Sequence, residues 1–119
     1  MSGKPLGDRG EEIAAHHLER SGWEILERNY RMGRKEIDLV ARRGEVVAFV
    51  EVKTLSGRGY GHPLEAITWR KRREIQQVAQ GWIDRHGRPG YTYRFDAVAV
   101  LLPSGGAAAV EHVEDAWRM

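Results

Sequence analysis

Five consecutive apolar residues at positions 46–50 lead directly into the alternating segment Glu51-Val52-Lys53-Thr54. An apolar run of this length is typical of a strand that is buried on both faces. Such a strand lies inside a sheet that carries helices on both sides, so the chain is predicted to be an α/β protein. Its 119 residues, of which 41% are hydrophobic, predict a single domain over residues 1–119.

Periodicity and turn residues predict two helices and five strands in the order αβββαββ. The helices are predicted at residues 7–21 and 68–85. The strands are predicted at residues 23–30, 36–41, 46–54, 91–102 and 107–113. The second helix stands where a crossover would join the third strand to a parallel fourth strand, which predicts a mixed sheet flanked by helices. A glycine-rich loop is predicted at residues 55–62.

The hairpin between the second and third strands decides which polar side chains share a face. Glu51 and Lys53 lie two residues apart, so they point to the same face of the third strand. If residues 44–45 form the turn, Asp38 lies opposite Glu51. If residues 43–44 form it, Asp38 lies diagonally from Glu51. Both registers place Asp38, Glu51 and Lys53 on one face.

Two carboxylates with a lysine beside them predict a site for Mg²⁺ or Mn²⁺. Mg²⁺ prefers oxygen ligands and binds one or two carboxylates together with substrate phosphate oxygens. A metal held there acidifies its water, and the lysine can orient or deprotonate that water or offset developing charge. The alternative is a solvated, amphipathic strand pair. The same face also carries Val40, Val47 and Phe49, so the charged side chains lie at one end of an apolar surface. Burying charges without partners or a metal is costly, which favours a metal site over a solvated strand pair.

Each helix adds one candidate residue. Glu11 lies on the apolar side of the first helix together with Ala14 and Leu18, and two roles are open for it. It can be a third carboxylate of the metal site, or it can stabilise the helix dipole. Lys71 lies on the stripe of the second helix that includes Ile75, and either a role in the site or a snorkelling position at the helix start is open.

Charge is distributed unevenly along the chain, although 19 Lys and Arg against 17 Asp and Glu leave a net charge of only +2. Residues 8–27 carry a net charge of −4, whereas residues 28–43 and 57–73 each carry +4. Two basic segments predict a positive face for nucleic-acid phosphates, and a solvated surface of mixed charge is the alternative. The predicted phosphate contacts are Arg31, Arg34, Arg70, Lys71, Arg72 and Arg73.

Several classes of protein are excluded by composition. The chain has no cysteine, which excludes disulfides, thiolate zinc sites, iron–sulfur clusters and cysteine nucleophiles. The longest apolar run, residues 97–102, is far shorter than the roughly 20 residues of a membrane span. The N-terminus has no apolar core of the kind a secretory signal needs. We therefore expect a cytoplasmic protein with no membrane partner.

The spacing of Asp38 and Glu51-Val52-Lys53 looks like the PD-(D/E)xK nuclease signature. The wider pattern consists of Gly7-Asp8-Arg9-Gly10-Glu11, Arg28-Asn29-Tyr30, Glu36-Ile37-Asp38-Leu39-Val40, Phe49-Val50-Glu51-Val52-Lys53-Thr54, Lys71-Arg72-Arg73 and Arg94-Phe95-Asp96. Together these segments resemble the YraN-like family of uncharacterised bacterial proteins. That family is placed in the restriction-endonuclease-like fold and is similar to archaeal Holliday-junction resolvases.

This resemblance implies a restriction-endonuclease-like fold and a Mg²⁺-dependent endonuclease acting on DNA, including branched or junction DNA. It implies that Asp38 and Glu51 are metal ligands, that Val52 contributes its backbone carbonyl, and that Lys53 is the catalytic lysine. Glu11 matches the acid on the first helix of the resolvase-type site. The alternatives are a non-catalytic nucleic-acid-binding module with the same fold, and a domain that binds a small molecule or protein. Cutting of both strands would favour a symmetric homodimer.

Overall fold

A computed structural model of the protein describes residues 6–56, 67–103 and 106–118. Within these ranges the chain forms two helices and five strands. They are α1 (Leu6–Arg20), β1 (Glu24–Met32), β2 (Lys35–Arg43), β3 (Val46–Ser56), α2 (Trp69–His86), β4 (Thr92–Leu102) and β5 (Ala109–Trp117). The loop predicted at residues 55–62 lies outside the described residues from position 57 onward. Among the described residues, neither helix is long and apolar enough to cross a membrane.

The described strands form one mixed sheet in the order β1-β2-β3-β4-β5. Neighbouring strands are antiparallel except for β3 and β4, which are parallel along the whole length of both strands. A parallel connection needs a crossover, and α2 lies in sequence between β3 and β4. The fold class predicted from the sequence, a mixed α/β sheet flanked by helices in the order αβββαββ, is confirmed.

Two-residue turns fix the registers of β1, β2 and β3. Met32 pairs with Lys35, and Arg43 pairs with Val46, so residues 33–34 and 44–45 form the turns. Each turn begins with a glycine at a φ of +62°, a conformation that tight hairpins require and that L side chains rarely adopt. Of the two registers open from the sequence, the structure therefore has the turn at residues 44–45, which puts Asp38 in register with Glu51.

The core lies in two layers because β3 is buried on both faces. Val50 packs on one face with α1 residues such as Leu18. Phe49 packs on the other face with α2 residues such as Val78 and Trp82. Complete burial of a side chain of this size contributes about 2–3 kcal/mol. The two layers confirm the burial that the apolar run at residues 46–50 predicts.

Helix α1 approaches β3 very closely at Gly10. A Cβ placed on Gly10 would lie 1.8 Å from the Thr54 side-chain oxygen, a distance that requires a shift of the helix or the strand. Only glycine allows this approach. The contact brings the first turns of α1, which include Glu11, next to the end of β3 that follows Glu51 and Lys53.

Strand β5 ends four residues later than the sequence predicts. The predicted strand, residues 107–113, ends just before Glu114 and Asp115. In the structure the pairing with β4 is irregular between Phe95 and Ala97, Asp115 has a φ of +51°, and Trp117 pairs with Phe95. The prediction of the strand end was wrong because this bulge carries the strand past two acidic residues.

Candidate active site

The sheet splits between β2 and β3 next to Asp38. The ladder between these strands ends at the pair Leu39 and Val50. Strand β2 nevertheless stays paired with β1 as far as its first residue, and β3 stays paired with β4 as far as its last. The two central strands therefore separate at one end of the sheet and leave backbone groups there without a strand partner.

The side chain of Asp38 occupies this split. In a continued ladder the N–H of Val52 would donate to the carbonyl of Ile37, because hydrogen-bonded pairs recur every second residue. Instead it donates to Oδ2 of Asp38 at 2.8 Å. The N–H and C=O of one residue in an extended strand point to the same side, so the Val52 carbonyl faces the same gap. Asp38 and the backbone of Val52 are thus brought together.

Glu51 is a buried carboxylate that lacks full hydrogen bonding. It is only 3% exposed, and its Oε2 has no hydrogen-bond partner among the described residues. Two ammonium groups lie nearby, with Nζ of Lys71 at 3.8 Å and Nζ of Lys53 at 4.0 Å from that oxygen. Both distances exceed that of a normal hydrogen bond. Burying a carboxylate oxygen that no donor binds directly costs free energy. A further cation bound in this pocket would offset that cost.

Asp96, on β4, shows what a structural buried carboxylate looks like in the same molecule. It is fully buried, yet Arg94, His112 and the N–H of Asp115 all bind its two oxygens at 2.7–3.1 Å. Burial alone would raise the pKa of Asp96, but these hydrogen bonds and the Arg94 charge lower it below its usual range. Within the described part of the chain Glu51 has no comparable set of donors, which distinguishes it from a carboxylate kept for stability.

Burial and the neighbouring carboxylate change the protonation of Asp38. Its burial, followed by its interaction with the carboxylate of Glu51, raises the pKa of Asp38 to about 8. The N–H of Val52 and the charge of Lys71 act in the opposite direction but do not cancel the rise. Two acids that cannot both ionise without a cation between them are typical of a functional site.

Glu11 lies at the border of this pocket and is held by Asn29. The Asn29 amide donates to Oε1 of Glu11 and to Oε1 of Glu36, each at 2.7 Å. Burial raises the pKa of Glu11, the bond from Asn29 lowers it, and the charge of Asp38 raises it further. Among the described residues no group of three or more Asp, Glu or His side chains converges to hold a metal ion. The carboxylates of the pocket are therefore Asp38 and Glu51, with Glu11 next to them.

Comparison with known proteins identifies the family. The model of the uncharacterised protein family UPF0102 matches residues 10–100. The chain belongs to the UPF0102 family. A UPF0102 protein of Rhodococcus jostii is 45% identical over 112 residues, covering 94% of this chain and 95% of its own length. One of Geobacter sulfurreducens is 42% identical over 116 residues, covering 98% and 91% respectively. One of Chlorobaculum tepidum is 43% identical over 119 residues, covering 96% and 92%.

The UPF0102 match confirms the family that the sequence motifs indicated. The matched range includes every residue that converges on the split in the sheet, from Glu11 to Lys71. It ends within β4, so β5 lies beyond it. The relatives nevertheless cover more than nine-tenths of this chain. The family match therefore covers the candidate site, and the names of these relatives mention no activity.

The predicted phosphate-binding residues lie on two elements that flank the split. Arg31 and Arg34 are exposed at the β1–β2 hairpin, where Arg31 also pairs with Glu36 at 3.1 Å. Arg70 and Arg73 are exposed on the first turns of α2. Arg72 is half-buried, and its Nε donates to the carbonyl of Ile67 at 3.2 Å.

Lys71 differs from its basic neighbours in sequence. Its ammonium group points at Glu51 rather than into solvent, with its side chain about one-third exposed. Of the two roles left open for Lys71, the structure favours the one within the site. Asn29 was not predicted, although a signal for it exists. It is an amide within a strand, a position that strands disfavour, and its φ of +50° is the left-handed conformation that asparagine tolerates best among non-glycine residues.

Proposed function

We propose that this UPF0102 protein is a metal-dependent endonuclease that hydrolyses phosphodiester bonds in DNA. The observation that carries the proposal is the buried Glu51 carboxylate, which lies among Asp38, Lys53 and Lys71 and whose Oε2 has no hydrogen-bond partner in the ranges that the structure describes. Two carboxylates and two ammonium groups at a split in a sheet suit a phosphate ester. Their formal charges cancel, so a divalent cation held by the carboxylates would leave a positive pocket that attracts a phosphate anion.

The donor set of the pocket fits Mg²⁺ or Mn²⁺. Asp38 and Glu51 would hold the ion by their carboxylates, and Val52 would add its backbone carbonyl, which faces the same gap. These are all oxygen donors, and a site with few protein ligands leaves positions for water and for phosphate oxygens. When bound, such an ion supplies a more acidic water and stabilises charge on the transferring phosphoryl group.

The two lysines would act on the reacting phosphate itself. In hydrolysis a water oxygen attacks phosphorus, and the ester bond to the leaving sugar oxygen breaks. Lys53 can orient that water or, in its neutral form, accept its proton, while the Lys71 ammonium offsets negative charge developing on the phosphoryl oxygens. Both side chains are about one-third exposed, so a phosphate can reach them from solvent.

The basic residues that flank the split support DNA as the substrate. Arg34 at the β1–β2 hairpin and Arg70 and Arg73 on α2 are exposed on two elements that border the site. Contacts of arginine with phosphates position a duplex without reading its sequence. Branched or junction DNA is the substrate that the family resemblance suggests, and a structure-specific enzyme needs contacts of this kind.

The experiment is a cleavage assay with flap, fork, four-way-junction and single-stranded DNA in the presence of Mg²⁺ or Mn²⁺. The wild type is expected to cut at least one of these DNA structures, and chelation with EDTA is expected to stop cleavage. Glu51→Gln should abolish cutting, and Lys53→Met should reduce it by about 10²–10⁴-fold. Glu19→Gln, which neutralises an exposed carboxylate near the end of α1, is the matched control and should leave the rate unchanged.

Three results would contradict the proposal. The first is DNA binding by the wild type without cleavage of any substrate in the panel, which would support the non-catalytic nucleic-acid-binding module. The second is cleavage that Glu51→Gln retains, which would place the activity elsewhere. A lack of both metal and DNA binding would support a domain for small molecules or proteins.

A further inference from the structure

On the α2 side of the sheet lies an aromatic groove of about 600 Å³, whose lining includes Phe49 of β3. Its walls include Phe95, Trp117 and Tyr93 from β4 and β5, and Gln76 and Ile83 from α2. Phe95 and Trp117 are stacked with ring centroids 5.3 Å apart. The indole nitrogen of Trp117 is buried and has no hydrogen-bond partner among the described residues. The proposed cleavage chemistry uses none of these groups.

Trp69 extends this aromatic surface to the outside of the molecule. It is the first residue of α2 and is 68% exposed, whereas the other three tryptophans are 3–5% exposed. The guanidinium of Arg72 lies over the Trp69 ring at 4.7 Å and over the Trp117 ring at 5.6 Å. Trp69, Arg72 and Trp117 therefore form one stacked series, which connects the exposed Trp69 ring to the wall of the groove. An exposed tryptophan held in this way contributes little to the core and much to a binding surface.

The stacked series shares the first turn of α2 with Lys71, whose ammonium group points at Glu51. Trp69 and Lys71 are two residues apart, so their side chains leave the helix about 200° apart around its axis, on either side of the start of α2. Phe49, which contacts Phe95 at 5.8 Å, is two residues before Glu51 on the same face of β3. A DNA strand whose phosphate reaches Glu51 would therefore pass the start of α2 to place an unpaired base on Trp69.

Charge and ring geometry together identify the ligand class. Four consecutive basic residues, Arg70 to Arg73, follow Trp69, and no acidic residue lies in the first turn of α2. Aromatic rings beside cations bind the bases of single-stranded nucleic acid, because every base has a face that can stack. Bases inside a duplex are already stacked and cannot reach the ring. An apolar peptide would not require the surrounding positive charge.

We propose that Trp69, backed by Arg72 and the Trp117 wall, is a stacking site for an unpaired base of the DNA strand. This inference rests on the proposed function and narrows its substrate class to DNA that carries unpaired nucleotides on the strand bound at the start of α2. Flaps, forks and open junctions belong to that class, and a blunt duplex does not.

The test compares Trp69→Ala with Trp69→Phe and Arg70→Gln, using a short oligothymidylate and a blunt duplex as probes. Trp69→Ala should weaken binding of the oligothymidylate about tenfold, leave duplex binding unchanged and leave the salt dependence of binding unchanged. Trp69→Phe should retain most of the affinity.

Arg70→Gln should weaken the binding of both probes and flatten the salt dependence of binding, because it removes a charge. Oligothymidylate should also quench the tryptophan emission that iodide reaches, which belongs to Trp69.

Equal affinity of Trp69→Ala and the wild type for oligothymidylate would overturn the stacking site. Equal weakening of both probes by Trp69→Ala would also overturn it. Metal-dependent cleavage that persists in either case would leave the proposed function standing. If the wild type cleaves no DNA but Trp69→Ala weakens oligothymidylate binding and leaves duplex binding unchanged, the proposed function is overturned and the stacking site is retained. If an apolar peptide quenches the emission of Trp69 and oligothymidylate does not, the stacking site is overturned and the surface binds a protein instead.

Discussion

At the scale of single residues, the two buried carboxylates of β3 and β4 have opposite environments. Asp96 has its oxygens bound by Arg94, His112 and a backbone N–H, and its pKa is lowered. Glu51 has an oxygen that no group of the described residues hydrogen-bonds. The sequence places both acids in strands and does not distinguish them, because two of the three donors around Asp96, His112 and the N–H of Asp115, come from β5 and from a bulge that periodicity does not reveal.

The raised pKa of Asp38 gives a prediction for stability against pH. The folded state holds a proton on Asp38 up to about pH 8, whereas the unfolded chain loses it near pH 4. The folded state therefore binds the extra proton between these values, and the free energy of unfolding contributed by Asp38 falls as pH rises through that window. Asp38→Asn removes this loss and should be more stable than the wild type by about 1–3 kcal/mol at about pH 9.

Urea unfolding of both proteins at about pH 5 and at about pH 9 checks this prediction. The difference in unfolding free energy between the variant and the wild type should grow with pH. The amide oxygen of an asparagine can still accept from the N–H of Val52, so the fold should be retained. A variant that is less stable than the wild type at the higher pH would indicate a salt bridge with a lysine instead.

At the scale of elements, the positions of α1 and α2 bring side chains from distant parts of the sequence to the split in the sheet. The sequence was sufficient for the order of elements and for the shared face of Asp38, Glu51 and Lys53. It was not sufficient for the split itself, because a ladder that ends early leaves no mark on the alternation of residues. The close approach of α1 to β3 at Gly10 was also not predicted, since it depends on tertiary packing.

Gly10→Ala tests the contribution of that approach. The added methyl group would overlap the Thr54 side chain, so we expect a loss of about 1–3 kcal/mol in the free energy of unfolding. Gly7→Ala is the matched control on the same helix, since a Cβ at Gly7 meets nothing within 4 Å. It should be neutral or stabilise the protein by up to about 1 kcal/mol.

Thermal unfolding of the two alanine variants measures the difference. The metal affinity of Gly10→Ala should also fall, because the displaced helix carries Glu11 away from Asp38. Equal melting temperatures for the two variants would show that α1 adjusts to the methyl group without cost.

At the scale of the whole molecule, basic side chains are concentrated where the hairpin and the start of α2 border the site. Other arginines lie at the opposite ends of the helices, so the chain supplies its own control. The test set for phosphate binding consists of Arg34→Gln, Arg70→Gln and Arg73→Gln combined. The control set consists of Arg20→Gln, Arg85→Gln and Arg88→Gln combined.

Titration of a labelled four-way junction at several salt concentrations distinguishes the two sets. The test set should weaken binding and reduce the slope of log affinity against log salt by about 1–3. The control set removes the same charge from the other end of the molecule and should change the slope little. The same change of slope in both sets would show that net charge, rather than a localised face, governs binding.

Calorimetric titration of Mn²⁺ into the wild type and Glu51→Gln tests the central claim most directly, because it requires no knowledge of the DNA substrate. We expect one site in the wild type, binding more tightly as pH rises towards about 8 because the ion displaces the proton of Asp38. Glu51→Gln should remain folded and bind no Mn²⁺ at that site. A wild type that binds no Mn²⁺, or a Glu51→Gln variant that binds it equally well, would contradict the assignment of this pocket as a metal centre.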